Sequence, residues 1–329
     1  MTDENYVVFD CDIGTDDAWA LVMLIKAEKE FKKFKTIGVT CVFGNTDVTN
    51  VTKNAIRVLD SVDRPDIPIY RGCSNAILKP QHVREHFFHG KDGFGDVEHS
   101  YEVDMNRIEK THAVNAMYEL ASKYPKKVSF ILLGPLTNFA TCMNMYDDFL
   151  DKVKDVWIMG GNIRAKGNVT QSAEFNFHCD PEAAQIVLEK AKTPITILPW
   201  ESCIDGDFGI SWDWRINTLG SVKSKAIELL NHTEKAILLP KGFPKWIVCD
   251  GILLATFLFP EKLIAKSRQY YATVELNGKH TRGQMVLDHK RLNESNVRII
   301  EEVHRENYRK TISWTGGLPD VKIDWDCLV

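Results

Sequence analysis

The sequence has no C-x-x-C pair, although it contains eight cysteines, at positions 11, 41, 73, 142, 179, 203, 249 and 327. This spacing argues against zinc-ribbon and thioredoxin-type sites. Cys11 and Cys41 stand inside apolar runs, as is typical of small buried side chains in a reducing compartment. The chain also lacks a marked excess of charge, since its formal net charge is −4. Sequence-independent binding to nucleic acid needs a basic surface, so we expect no nucleic-acid partner.

The sequence also lacks a long apolar segment. Its most apolar stretch, residues 246–259, includes Asp250 and is too short to cross a bilayer. Residues 1–5 are polar and acidic, unlike a signal peptide. We therefore expect a soluble, cytoplasmic protein with no membrane partner.

No Pro/Gly/Ser-rich linker, internal repeat or low-complexity tract interrupts the 329 residues, so we predict one domain over residues 1–329. Short apolar runs alternate with segments of helical periodicity. The predicted strands are residues 6–10, 36–43, 67–70, 128–133, 156–159 and 194–198, and the predicted helices are residues 16–29, 46–59, 111–123, 136–143 and 181–190. Strands that are apolar throughout and alternate with helices indicate an α/β fold, with a mostly parallel, Rossmann-like open sheet flanked by helices.

The C-terminal third has a different pattern. Residues 221–238 and 250–257 have helical periodicity. Residues 270–276 and 285–288 are strand candidates on either side of the turn signal Asn277-Gly278. The pattern predicts a small C-terminal hairpin accompanied by helices.

Residues 79–103 form a long segment with little apolar periodicity. The segment contains several glycines and four histidines, His82, His86, His89 and His99. Loops of this length in compact domains are usually functional or mobile. We therefore predict an active-site loop, or lid, over residues 79–103.

Four aspartates cluster where the first strand meets the first helix. Asp10 and Asp12 end the strand on the same side, and Asp16 and Asp17 begin the helix. Ligands bind at this carboxyl edge in open α/β sheets, so we expect the four carboxylates to gather there. A favourable helix dipole or a turn cap explains one or two of these acids but not all four. Carboxylates without His or Cys partners indicate a hard cation, calcium or magnesium.

Several segments, taken in order, resemble the nucleoside hydrolase family that prefers inosine and uridine. The run DCDIGTDDA at residues 10–18 is similar to the D-x-D-P-G-x-D-D-A with which that family opens, with Ile13 in place of the proline. The further matching segments are GN at 44–45, HGKDGFG at 89–95, GPLTN at 134–138, MGG at 159–161, GN at 167–168, AEFN at 173–176, DPEAA at 180–184 and CD at 249–250.

The resemblance implies a reaction and its partners. It implies an enzyme that hydrolyses the N-glycosidic bond of ribonucleosides to free base and ribose, either purine-specific or non-specific, in purine nucleoside catabolism and nucleoside salvage. It implies Ca²⁺ as the cofactor, a small-molecule nucleoside as the substrate, and a homodimer or homotetramer. Another N-riboside as the substrate stays open.

The resemblance also implies roles for single residues. The implied calcium ligands are Asp12, Asp17, Asp250 and the backbone carbonyl of Leu133. Asp12 is also the implied general base for a calcium-bound water, and Asn45 helps to orient both. The implied ribose-binding residues are Asp16, Asn168, Glu174, Asn176 and Asp250. Taken singly, residues 168, 174 and 176 fit a turn, a solvated charge and a helix cap. Their joint spacing favours the ribose site.

The sequence departs from the family at Cys249, where the best-known members have a histidine that is a candidate acid for the leaving base. A thiol can donate a proton, and it can equally be a small packed side chain. His89, or another histidine of the loop, is a second candidate acid. Stacking of the base on an aromatic ring is a third way to activate it. The candidates for stacking are Trp200, Trp246, Phe87 and Phe88.

Two other functions compete with this interpretation. The opening D-x-D-x-G-T also resembles haloacid-dehalogenase-like phosphatases, in which Asp10 would be the nucleophile and Asp12 a general acid beside magnesium. That interpretation leaves the Asp16-Asp17 pair and residues 168–176 unexplained. The second alternative is a non-catalytic protein that binds calcium or another ligand on the same scaffold.

Overall fold

The structure is a computed structural model that describes residues 4–78, 87–190, 193–205, 208, 210–327 and 329. Eleven strands occur in these residues: β1 (Asn5–Cys11), β2 (Phe34–Cys41), β3 (Ile69–Arg71), β4 (Ile108–Glu109), β5 (Val128–Leu132), β6 (Val153–Met159), β7 (Ile195–Leu198), β8 (Ile264–Tyr270), β9 (Ala272–Val274), β10 (Met285–Leu287) and β11 (Val297–Val303). Nine of them form one sheet in the order β4-β3-β2-β1-β5-β6-β7-β11-β8. Its strands pair in parallel, except that β8 is antiparallel to β11.

Helices cover both faces of this sheet. The described α-helices are α1 (Thr15–Phe31), α2 (Val48–Ser61), α3 (Ala113–Lys123), α4 (Thr137–Met145), α5 (Phe149–Lys152), α6 (Phe175–Cys179), α7 (Pro181–Glu189), α8 (Trp200–Ile204), α9 (Lys225–Ile237), α10 (Cys249–Leu258), α11 (Pro260–Leu263) and α12 (Arg305–Thr315). On one face, α1, α2, α9, α10 and α12 share a hydrophobic core with Val7, Phe9 and Cys11 of β1. On the other face, α3, α4 and α7 share a second core with Val8. Because successive side chains of β1 enter different cores, the strand is apolar throughout.

The chain reverses its direction of progress across the sheet at β1. The strands that precede β5 in the sequence extend to one side of β1, whereas β5 pairs on its other side, with Asp10 opposite Leu132. Such a reversal leaves a crevice at the carboxyl ends of the two strands, where open α/β sheets bind ligands. Asp12 follows β1 and Leu133 follows β5, so both lie at this crevice.

The predicted fold class, a mostly parallel α/β sheet flanked by helices, is confirmed. Each predicted strand and helix is found. The additional elements are the strands β4, β8 and β11 and the helices α5, α6, α8, α11 and α12. In β8, exposed Lys266 and Arg268 hide the strand pattern, and in β11, Glu301 and Glu302 interrupt the apolar run. The predicted hairpin is present as β9 and β10, but pairing begins at Val274–Met285, so its connection is longer than an Asn-Gly turn.

The predicted active-site loop is described only in part. Residues 79–86, which include His82 and His86, lie outside the described residues. Residues 87–103 contain neither helix nor strand. The lid therefore stays a prediction. In the described part of the chain, no helix has the length and apolar character that crossing a membrane requires.

Three buried phenylalanines hold α4 and α5 against β5. The ring centroids of Phe130, Phe139 and Phe149 are separated by 5.1–5.6 Å. We expect Phe139→Ala to lower the free energy of unfolding by about 3–5 kcal/mol, because it leaves a cavity in a fully buried cluster. Equilibrium unfolding in urea measures this. Met145→Ala on the exposed end of α4 is the control, expected to stay within about 0.5 kcal/mol of wild type; equal losses for both variants would contradict the prediction.

Candidate active site

Asp12 lies buried between the loops that follow β1, β2 and β5. Its Oδ2 accepts a hydrogen bond from the backbone N–H of Asn45 at 2.7 Å. Two glycines make room for the carboxylate. A Cβ at Gly44 would lie 2.0 Å from Oδ2, and one at Gly134 would lie 3.1 Å from the Asp12 Cβ. Asn45 thus contacts Asp12 through its backbone N–H, and its role in orienting Asp12 and the water stays a prediction.

Asp17 and Asp250 bring two further buried carboxylates to the crevice from the first turns of α1 and α10, which pack together. Asp17 Oδ2 accepts the backbone N–H of Gly14 at 2.8 Å and so caps α1. Its Oδ1 is buried without a hydrogen-bond partner. One oxygen from each of Asp16, Asp17 and Asp250 lies within 4.8 Å of the others.

Burial and mutual repulsion make this group electrostatically unfavourable. Burial, followed by the charge of Asp16, raises the pKa of Asp17 to about 8. Burial and neighbouring aspartates also raise the pKa values of Asp12 and Asp250 well above the usual range. A cation removes this penalty, and the unpartnered Asp17 Oδ1 is a free ligand atom for it. The all-oxygen donor set fits a hard metal ion.

The three grouped carboxylates include Asp16, whereas the predicted carboxylate ligands include Asp12 in its place. The structure places Asp16, predicted to bind ribose, with Asp17 and Asp250, and it places Asp12 beside them, close enough for its pKa to be raised by Asp17. The carbonyl of Leu133 accepts a hydrogen bond from Asn176 Nδ2 at 2.7 Å. A carbonyl oxygen has a second lone pair, so Leu133 retains a position for a metal ion. The ligand roles of Asp12 and Leu133 stay predictions.

Asp10 does not join the other carboxylates as expected. Its Oδ1 accepts hydrogen bonds from Thr40 Oγ1 at 2.6 Å and Asn138 Nδ2 at 2.8 Å, which ties β1 to β2 and α4. Burial raises its pKa to about 7 despite these bonds. Asn138 belongs to the GPLTN segment, but no role was predicted for it. Because the Asp10 carboxylate is fully enclosed, the structure does not favour its use as a phosphatase nucleophile.

His89 lies against the start of α1, inside the crevice. Its Nδ1 is 3.3 Å from the backbone nitrogen and 3.0 Å from Oγ1 of Thr15, and its Nε2 is 3.3 Å from Asp16 Oδ1. Burial lowers its pKa, which favours the neutral ring. A neutral ring that accepts the Thr15 N–H at Nδ1 carries its hydrogen on Nε2 and donates it to Asp16. Thr15 was not predicted as a site residue, because only the folded chain brings it to His89.

The three residues predicted to bind ribose from residues 168–176 have different environments. Glu174 is buried and accepts three backbone N–H groups, those of Gly161, Asn176 and Phe177, at 2.8–3.1 Å. Burial raises its pKa to about 7. Asn176 Nδ2 donates to the carbonyls that end β5 and β6. Asn168 is exposed, with its backbone N–H bonded to Ala173. The solvated-charge interpretation of Glu174 is therefore wrong, because this buried side chain caps α6, whereas Asn176, for which a cap was the alternative, lies inside that helix. The ribose roles of Asn168, Glu174 and Asn176 stay predictions.

Cys249 is the first residue of α10 and is buried beside Cys203 and Asp250. The contact with Cys203, followed by burial, raises the pKa of the Cys249 thiol well above its usual range. The side chain is therefore a protonated thiol. Both predicted possibilities, a proton donor and a packed side chain, agree with this state.

The aromatic candidates separate by exposure. Trp246 is buried, packs edge-on against Trp19 and donates its indole N–H to Glu234 at 3.1 Å, so it belongs to the core. Trp200 is half-buried. Phe88 is 45% exposed, and its ring centroid is 5.7 Å from that of Phe243, which was not predicted. Phe87 is also exposed. The phenylalanines next to His89 are therefore the accessible aromatic surface.

The carboxylate group makes cation binding testable. We expect calcium at a concentration of 100 times its Kd to stabilise the wild type by about 2.7 kcal/mol. Asp17→Asn should abolish this response and stabilise the metal-free protein, because it removes a buried charge from a repelling group. Thermal unfolding with and without CaCl₂ measures both effects. Asp47→Asn, which alters the cap of α2, is the control and should keep the calcium response. A calcium response that survives Asp17→Asn would contradict the assignment.

A sequence model of the family described as inosine-uridine preferring nucleoside hydrolase matches residues 7–310. Probable uridine nucleosidase 2 of Oryza sativa subsp. japonica is 38% identical over 186 residues, covering 56% of this chain and 53% of that protein. Inosine-uridine preferring nucleoside hydrolase of Crithidia fasciculata is 35% identical, covering 56% of this chain and 57% of that protein. These alignments thus span little more than half the length of the curated relatives.

Two further matches extend over almost the whole chain. Pyrimidine-specific ribonucleoside hydrolase RihA of Photobacterium profundum is 28% identical and covers 92% of this chain and 95% of that protein. A solved structure of an inosine-guanosine nucleoside hydrolase superimposes with a TM-score of 0.85 at 26% identity, covering 95% of this chain and 98% of that one. The family match takes in β1, the aspartates of both helix starts and nearly the whole sheet, so this chain belongs to the inosine-uridine preferring nucleoside hydrolase family.

Proposed function

We propose that this protein hydrolyses the N-glycosidic bond of ribonucleosides and releases free base and ribose. The observation that carries the proposal is the group formed by the partly exposed carboxylate of Asp16 and the buried carboxylates of Asp17 and Asp250 beside Asp12, at the reversal point of a nucleoside hydrolase fold. Relatives named for uridine, for pyrimidine ribonucleosides and for inosine with guanosine all support a nucleoside substrate. We propose a purine or broad base preference, because exposed phenylalanines flank the site.

We propose Ca²⁺ as the metal ion. Asp17 and Asp250, with the Leu133 carbonyl and Asp12, would hold it, and Asp16 stands within reach. Calcium accepts six to eight oxygen ligands with flexible geometry, which suits an irregular group of carboxylates and one carbonyl. When bound, the ion neutralises the carboxylates and makes water a better nucleophile at neutral pH.

Asp12 is the proposed general base. The Asn45 N–H holds its Oδ2, which leaves Oδ1 to take a proton from the attacking water. The water oxygen forms a bond to C1′ of the ribose as the bond from C1′ to the base nitrogen breaks. The base leaves with the electron pair of that bond and needs a proton from an acid or from solvent.

The surrounding residues fit the charge that develops on the sugar. Cleavage of an N-glycosidic bond builds positive charge on the ribose ring, as in glycosidases. The carboxylates of Asp16, Asp250 and Glu174 provide fixed negative charge, and Asn168 and Asn176 provide amide groups for the hydroxyls. Asp16 is partly exposed and paired with His89, so it can exchange that contact for a ribose hydroxyl.

The leaving base has three proposed sources of assistance. Cys249 is a protonated thiol at the start of α10. His89 is a neutral ring beside Asp16, and it could donate a proton to the base only after taking up one from solvent. Phe88 and Phe243 offer an apolar surface on which a planar base can stack.

The central test measures free ribose after incubation with inosine, guanosine, adenosine, uridine and cytidine. We expect ribose from at least one nucleoside, loss of activity with EDTA and recovery with calcium. Asp12→Asn should lower kcat by about 10²- to 10⁴-fold, the usual contribution of a general base, while thermal stability is retained. A folded, calcium-loaded protein that releases no ribose would refute the proposal and favour a binding protein. Phosphate release from a phosphomonoester would favour the phosphatase alternative.

A substrate that needs no acid separates the two interpretations of Cys249. If the thiol protonates the base, Cys249→Ala should lower kcat on natural nucleosides by about 10²-fold or more and leave p-nitrophenyl riboside hydrolysis unchanged, because nitrophenolate departs without a proton. Equal losses on both substrates indicate a packing role instead. Cys203→Ala removes the contact partner of Cys249 and is the matched control. His89→Ala, tested on the same pair of substrates, asks the same question of the second candidate.

We further propose a homodimer or homotetramer, as the family resemblance implies, and a cytoplasmic location. Light scattering coupled to size-exclusion chromatography measures the assembly. Microscopy of a tagged protein in its own cells tests the location.

A further inference from the structure

Asn54 lies on α2, away from the carboxylates, yet it joins the two segments that surround them. It is fully buried, and its Nδ2 lies 2.9 Å from the carbonyl oxygen of Asp92 and 3.5 Å from that of Ile13. Ile13 belongs to the turn between Asp12 and α1, and Asp92 belongs to the segment that carries His89. A single amide group thus holds both segments.

A hydrogen bond from Arg57 fixes the orientation of the Asn54 amide. Arg57 Nη1, one turn further along α2, donates to Asn54 Oδ1 at 2.8 Å. The oxygen of the amide is therefore committed to Arg57, and the nitrogen must face the two carbonyls. A charged donor on one side and two acceptors on the other leave the side chain one arrangement.

The segment that Asn54 holds is compact and hydrogen-bonded within itself. The backbone N–H of Gly95 donates to the His89 carbonyl at 2.7 Å, and that of Gly93 donates to Gly90. Gly93 has a φ of +75°, and a Cβ there would lie 2.7 Å from Thr46 Cγ2, so the loop packs closely on the start of α2. Thr46 Oγ1 also donates to the Lys91 carbonyl at 2.7 Å. Whatever fixes residues 91–93 therefore fixes His89.

The placement of His89 needs this support. Its two ring nitrogens contact Thr15 and Asp16 at 3.0–3.3 Å, and a Cβ at Gly14 would lie 2.7 Å from its Cδ2. The ring thus fits against the turn with little clearance. A shift of the loop by about 1 Å would break these contacts, and displacements of that size can cost about 10²-fold in rate.

We propose that Asn54 is a positioning residue, whose amide holds the loop of residues 87–96 against the turn of residues 12–14 and so sets His89 beside Asp16. For its effect on turnover, the proposal rests on the proposed function. For its effect on the loop, it rests on the contacts alone.

The test uses Asn54→Asp in the full chain. The substitution keeps the size of the side chain and the contact with Arg57, but it turns an oxygen toward two carbonyl oxygens. We expect kcat/KM for the best nucleoside to fall about 10- to 100-fold, as is typical when a residue that orients the side chains of a site is replaced. We also expect faster hydrogen exchange in residues 87–96, with calcium affinity unchanged.

A double substitution distinguishes positioning from general destabilisation. If Asn54 acts through His89, adding Asn54→Asp to His89→Ala should cause no further loss of kcat/KM. Additive losses, or an Asn54→Asp protein with wild-type exchange and turnover, would overturn the proposal. If Asn54→Asp does not fold, Thr46→Val provides a second test, because it removes the neighbouring hydrogen bond to the Lys91 carbonyl. We expect changes in exchange and turnover in the same direction but smaller. Unchanged values would overturn the proposal.

Asn296 provides a matched control at the far side of the sheet. Its Nδ2 also donates to two backbone carbonyls, those of Leu188 and Ala272, each at 2.9 Å. We expect Asn296→Asp to leave exchange in residues 87–96 and turnover per folded molecule unchanged. If wild-type protein cleaves no nucleoside, the proposed function fails, but the exchange measurement still decides the role of Asn54.

Discussion

The structure depends on the confinement of negative charge at one point of the sheet. Asp12, Asp17 and Asp250 have lost nearly all contact with water and lie close to one another and to Asp16. Each is harder to ionise than an ordinary aspartate for this reason. A bound cation would remove this cost from the charged form of the group. The crevice between β1 and β5, the packing of α1 on α10 and the loop around His89 all serve to hold that charge in place.

Backbone N–H groups hold several of the site's carboxylates in place. Asp12, Asp17 and Glu174 each accept main-chain N–H groups, which cannot swing away as a side-chain donor can. Glycines at 14, 44 and 134 let these carboxylates and His89 approach the main chain closely. Charge in the site is therefore fixed before a substrate arrives, which is the condition for electrostatic stabilisation of a transition state without reorganisation.

The fold and the aspartates at the carboxyl edge of the sheet could be predicted because both depend on patterns of residues that are close in sequence. Apolar runs that alternate with helices predict a parallel sheet, and acids after β1 lie at its carboxyl edge. Long-range partnerships leave no such pattern. The Asp10 carboxylate was expected to gather with the other three aspartates, but it instead accepts a hydrogen bond from Asn138, which is remote in sequence. Likewise nothing local connects Asn54 with Asp92, or Thr15 with His89. Charged side chains obscure the strand pattern in β8, at the edge of the sheet, and in β11 beside it.

The carboxylates that meet in the crevice come from segments that are far apart in the chain. Asp12 follows β1 and Asp17 lies in the first turn of α1, whereas Asp250 lies at the start of α10, far along the chain. The site therefore forms only when α10 packs against α1. A cation that binds only the assembled site therefore stabilises the finished protein selectively over partly folded forms. Such a metal ion would therefore bind only the folded form of the protein.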